Sequence, residues 1–166
     1  MPEQQTARAR FLKAYEREHA TTSKVLHAHP KDQTTFAPHE RSNSTHALGW
    51  TFVVEERLML KALKHEDILG SGFPKPPQSW DAVLDAFDRA HEELARVLND
   101  PADPDLEGTT TFFVGPKQPA DISIEDFLWF MLSDQIHHRG QLSVHVRMTG
   151  GKVPSIYGPT ADEPWS

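Results

Sequence analysis

Ser133–Arg147 reads SDQIHHRGQLSVHVR. Stepped at about 100° per residue, Asp134 falls on the same side as Phe127, Phe130 and Met131, so that side faces a core. His138 follows one turn on, Gln141 two turns and His145 three. A helix is thus expected to turn a carboxylate, two imidazoles and an amide inward. Leaving such groups unpaired costs roughly 2–7 kcal/mol for a neutral polar group and more for a charge. Two arrangements offset that cost. A divalent ion accepts carboxylate oxygen and neutral imidazole nitrogen. An internal hydrogen-bond network does so as well.

Outward from this stretch, the helix opens at Ser123, with Asp126 three residues on in a near-capping box, and Gly150-Gly151 stop it after Thr149. Three further helices are expected. The first spans about Thr6 to His29, with Phe11, Tyr15, His19, Thr22 and Leu26 on one face, and Pro30 ends it. The second lies between about Pro38 and Lys64, where Leu48, Phe52, Val53, Leu60 and Leu63 recur at helical spacing. The third starts at an N-cap, Ser79, and runs to about Asn99. Between the third and fourth, TTTFFV reads as a short strand or an extended pass across the bundle. The tail after Gly151 is rich in Pro and Gly, and Ile156 and Tyr157 suit packing back on the body. The expectation is an all-α four-helix bundle with crossover connections, one domain over residues 1–166.

Composition narrows the function. The 166 residues carry a formal net charge of −7, which disfavours nucleic acid as a partner. The longest apolar runs are too short for a bilayer, and the N-terminus lacks a secretory h-region, so the expected location is cytoplasmic. The absence of cysteine excludes disulfides, thiolate metal sites and a cysteine nucleophile. A nucleophilic thiol would have to come from a substrate.

A metal site needs a ligand from another helix. On the second helix His46 shares a face with Gly49, Trp50, Val53 and Leu60, and Gly49 would admit a close neighbour. His46, Asp134 and His138 together make a two-histidine, one-carboxylate set with open positions for water or substrate. The alternative is a hydrogen-bonded Asp134–His138 pair, with His46 satisfied by a carbonyl or water. His137 lies about 60° from the Asp134 direction and is a candidate substrate-facing group. Gln141 is a candidate for orienting a ligand, or else a buried amide. His145 reads as a hydrogen-bonded core or interface histidine, and His19 and His91 as satisfied core histidines. Glu56 is a weak general-base candidate, better read as one half of a surface pair. Arg139 reads as a surface or tail-binding cation. His27, His29, His39 and His65 fall near helix ends, where solvation is expected. Gly140 suggests close helix contact, and Trp50 a pocket wall.

The run IHHRGQLSVHVRMTGGKVPSIYGP resembles the last helix and following loop of the DinB-like (DinB/YfiT) metalloproteins, and THALGW resembles their second-helix signature at His46. The resemblance implies an up-down-down-up bundle, a homodimer, and a divalent ion, commonly zinc or nickel, held by three histidines. Carried over, His46 and His138 are the outer ligands, and Asp134 stands where the family has its middle histidine. Aspartate shifts preference toward harder ions such as manganese or iron. The resemblance further implies a thiol-dependent transferase or a hydrolase acting on a small molecule. The alternative is a non-catalytic metal-binding, ligand-binding or stress-response protein.

Overall fold

The structure, a computed structural model, describes residues 6–70, 72–100 and 106–165. Among them are four helices, α1 (Ala7–His27), α2 (Thr45–Leu63), α3 (Trp80–Asn99) and α4 (Ile124–Met148), and one hairpin, β1 (Thr109–Gly115) with β2 (Gln118–Ser123). Each helix begins where a hydroxyl can accept a free first-turn N–H. Thr6, Ser44, Ser79 and Ser123 are the N-caps, accepting from Ala9, Ala47, Ala82 and Asp126 respectively. This chemistry corrects the expected start of the second helix. Residues 30–44 form turns rather than helix, and Ser44, not the region of Pro38, opens α2.

TTTFFV is a strand. It pairs antiparallel with β2, from Thr109 opposite Ser123 to Gly115 opposite Gln118. QPADIS offers no alternating apolar pattern, so its strand character comes from the pairing itself. Residues 101–105 of the expected long connection lie outside the described residues. The hairpin turns the expected all-α bundle into a mostly-α one.

Helix directions follow from side-chain pairs. Thr45 meets His145 and Glu55 meets His138, so α2 and α4 run antiparallel. Glu18 meets Arg139 and His29 meets Thr149, so α1 and α4 run parallel. Tyr15 meets His91, and Arg8 in the first turn of α1 reaches Asp100 at the end of α3, so those two are antiparallel. Lys64 meets Glu93 near the ends of α2 and α3, which run parallel. The order is up-down-down-up, with α1 and α2 both packed on α3 and α4.

The apolar core falls into two clusters. One gathers Phe11, Met59, Leu94, Phe127 and Met131, and the other Val25, Phe52, Phe87, Leu142 and Val146. Between the two sets lie the buried Glu18, His19, Glu55, Glu56, Gln135 and Arg139, with the partly buried His91 and His138 beside them. A belt of ionisable groups thus crosses the bundle at mid-height.

Candidate metal centre

Glu55, Asp134 and His138 each offer one ligand atom, and these atoms lie within 4.8 Å of one another. His138 Nδ1 stands 3.0 Å from Glu55 Oε1, and His138 Nε2 stands 3.9 Å from Asp134 Oδ1. Asp134 and His138 adjoin because they are one turn apart on α4. Glu55 reaches them because antiparallel α2 brings its level against His138.

Burial sets the electrostatics. Glu55 is almost wholly enclosed, and its Oε2 has no partner. Burial pushes its carboxyl up to about 8, against the pull of the hydrogen bond to His138. The same bond raises His138 above the ordinary histidine value, against burial. The two groups are thus bonded to each other while burial disfavours charge on both. Asp134 is the open side, with its side chain 37% exposed. The donor set is therefore two carboxylates and one imidazole, with a sealed oxygen left over, which fits a divalent ion of the harder or borderline kind.

His46 does not join this group. It sits nine residues before Glu55, about 13.5 Å along the helix axis and on the opposite face. Its ring lies 6.4 Å from that of Trp80, and its buried Nε2 has no partner. Gly49 does admit a close neighbour, which is Trp80: a Cβ there would stand 2.5 Å from the indole ring. Glu55 lies off the His46 face and is not among the candidates that face offers. Its signal was there, a carboxylate framed by Phe52, Leu58 and Met59 at helical spacing.

The remaining candidates separate clearly. His137 and Gln141 are exposed and joined to each other at 3.0 Å, so Gln141 is not a buried amide. Phe130 is also exposed, whereas Gln135 and Arg139 are buried. The inward face of α4 is thus turned from the one expected: Asp134 and His138 are half-buried and Gln141 exposed, while His145 at the end of the stripe is buried. Gly140 has open space around it, so close helix contact does not explain it. Trp50 donates to Pro74 O at 2.7 Å and packs on Arg57, which pins the loop before α3 and does not line the carboxylate group.

Arg139 is buried. It donates to Glu18 Oε2 at 2.7 Å, to the Glu18 carbonyl, to Thr22 and to Tyr157 of the tail. It does bind the tail, but from inside the protein. Burial alone would raise Glu18, yet the bonds from Tyr157, Arg139 and Arg17 outweigh it and hold the carboxyl low. Glu56 is fully buried and makes no surface pair. It accepts from Tyr15 and from Gln135, and His19 stands 3.9 Å away. His91 bonds Tyr15 Oη at 2.9 Å and stacks on His19. All four helices contribute to this cluster, and burial together with Glu56 pushes the Tyr15 phenol far up, keeping it a donor. His29, expected to be solvated, is buried.

An up-down-down-up bundle with candidate metal ligands on its second and last helices is the class these features define. The family model of the DinB superfamily matches residues 14–142, and the chain belongs to that superfamily. A DinB-like protein from Bacillus cereus has the same fold, with a TM-score of 0.72 at 22% identity over 89% of this chain and 95% of that one. The DinB-like protein YjoA from Bacillus subtilis aligns with a TM-score of 0.70 at 16% identity, covering 89% and 97%. In sequence, the uncharacterized protein YrdA from Bacillus subtilis is 30% identical over 87 residues, which spans 52% of this chain and 50% of that protein. Among the described residues no helix is long and apolar enough to cross a membrane.

Proposed function

We propose that Glu55, Asp134 and His138 hold a divalent metal ion, and that the protein is a metal-dependent enzyme acting on a small molecule. One observation carries this reading: a buried carboxylate, with one oxygen unpartnered, faces a second carboxylate and an imidazole. In the site Glu55 takes the place first expected of His46. Two oxygens and one nitrogen suit zinc or nickel, with manganese or iron as the harder alternatives. When bound, such an ion lowers the pKa of a coordinated water or thiol.

The chain's own residues supply the rest. Glu55 anchors the site from its sealed side. His138 is oriented by its hydrogen bond to Glu55. Asp134 faces solvent and leaves an approach for substrate. His137 and Gln141 stand on the exposed side and are placed to contact a substrate or pass a proton. With no cysteine in the chain, a transferase would draw its thiol from a cosubstrate, and a hydrolase would use water.

A second reading has its own support. The Glu55–His138 bond, at 3.0 Å, is complete without an ion and suits a metal-free binding protein. Homodimerisation and a cytoplasmic location belong to the proposal. The exposed Phe113, Val114, Phe130, Val144 and Met148 are apolar surface that a second copy would cover.

The test is elemental analysis of untagged protein, followed by a panel of thiols with electrophilic substrates and of hydrolysable esters and amides. Bound metal with metal-dependent turnover supports the enzyme. Bound metal with no turnover on either panel favours the non-catalytic reading.

A further inference from the structure

Between the start of α2, the end of α4 and the loop before Ser44 lies a second cavity, of about 460 Å³. Its size suits a small ligand. Leu48 and Val144 give it apolar walls, Arg41, Asn43 and Gln141 a polar rim, and His145 a buried imidazole. His145 is seven residues from His138, about 10.5 Å along α4, so it shares no ion with the group described above.

A hydrogen-bond chain fixes how His145 meets this cavity. His29 Nδ1 lies 2.9 Å from Pro30 O. A carbonyl only accepts, so His29 carries its proton on Nδ1 and its Nε2 is an acceptor. Two hydroxyls reach that nitrogen, Thr45 at 3.2 Å and Thr149 at 3.3 Å. Thr149 has a nearer acceptor, the His145 carbonyl at 2.8 Å. Thr45 has one carbonyl acceptor, that of Phe36, farther off at 3.4 Å, so the Thr45 proton goes to His29. Thr45 Oγ1 then accepts from His145 Nδ1, 3.0 Å away. In this arrangement every donor in the chain is used. The reverse arrangement, with Thr149 donating to His29 and Thr45 to His145, makes one bond fewer.

The consequence is a directed relay, from His145 Nδ1–H to Thr45, to His29 and to the Pro30 carbonyl. Burial lowers both histidines below the ordinary value, which keeps them neutral. That tautomer leaves a lone pair on His145 Nε2, which makes no hydrogen bond to another described residue. Arg41, on the rim, has no ion-pair partner among those residues.

We propose that this cavity is a small-molecule site in which His145 Nε2 accepts a proton-bearing group and Arg41 meets a carboxylate. The ligand class is a small carboxylic acid with a neighbouring hydroxyl or thiol. The inference does not rest on the metal reading. It concerns different residues and holds with or without an ion at Glu55.

The test uses the full chain, as purified and after chelator treatment, in a long-range proton–nitrogen correlation spectrum of the histidine rings. His145→Gln assigns the signal. The expected state of His145 is protonated at Nδ1 and bare at Nε2. Glycolate and mercaptoacetate should shift Nε2 saturably, with acetate, which lacks the donor, at least about tenfold weaker. Arg41→Gln should weaken glycolate. Thr45→Ser keeps the relay and should keep the pattern, whereas Thr45→Val should move the proton to Nε2 and lose the preference over acetate. A wild-type His145 protonated at Nε2 overturns the proposal. So does an equal response, or none, to glycolate and acetate.

Discussion

Arg139 shows at the scale of one residue how charge is tolerated inside this bundle. Its guanidinium meets a carboxylate, a carbonyl, a hydroxyl and a phenol, so the donors in reach are matched. Removing one member of a buried pair leaves the other uncompensated, at about 3–5 kcal/mol. Arg139→Met should therefore lower unfolding stability by that order in urea titrations. Adding Glu18→Leu should recover much of the loss. Equal stability of Arg139→Met and wild type would show that Glu18 is not held as described. The same logic separates Glu55 from His46. Glu55 has two potential co-ligands within reach and a spare oxygen, whereas His46 has an indole for a neighbour.

Helix packing turns on two glycines that look alike in the sequence. Gly49 touches the Trp80 ring, buried and rigid, so Gly49→Ala should overpack the α2–α3 contact and cost about 1–3 kcal/mol. Gly140 meets nothing within 4 Å on the exposed side of α4. Gly140→Ala should instead stabilise by up to about 1 kcal/mol through helix propensity. Thermal melts of the two variants check both signs, and a destabilised Gly140→Ala would contradict them. The helices themselves were legible in the sequence, because capping hydroxyls and helical spacing of apolar residues are local. The rotation of α4 was not. Phe130 is apolar yet exposed, and Arg139 is charged yet buried, so a face chosen by hydrophobicity points the wrong way by about one residue. β2 was not legible either, since its pattern is supplied by β1. Asp134 and His138 could be read from i, i+4 spacing. For Glu55 only the burial could be read, from its apolar frame; its approach to them could not, because the pairing of α2 with α4 is a tertiary fact.

Over the whole molecule, buried titratable groups in the belt and at the α4 end make stability depend on pH from both sides. Burial lowers His29, His91 and His145, so the fold prefers them neutral. The unfolded chain binds protons first as pH falls below about 6.5. The stability these residues give is full above that pH and is lost as pH falls through their lower folded values. Glu18, held low, adds a further loss in more acid solution. Glu55 works the other way. Raised from 4.5 to about 8, its carboxyl favours the fold while protonated, and that contribution is lost progressively between those two values as pH rises. Metal-free protein should thus unfold at lower urea both toward pH 5 and above pH 8 than at an intermediate optimum. A flat profile would contradict the assignment of these burials.

The direct test of the metal centre is bound zinc per chain, by elemental analysis after equilibration and desalting, in wild type, Glu55→Gln, His138→Ala and His46→Ala. The account predicts near-stoichiometric zinc in wild type and His46→Ala, and its loss in Glu55→Gln and His138→Ala. Zinc retained by Glu55→Gln but lost from His46→Ala, or a wild type that takes up none, would contradict it.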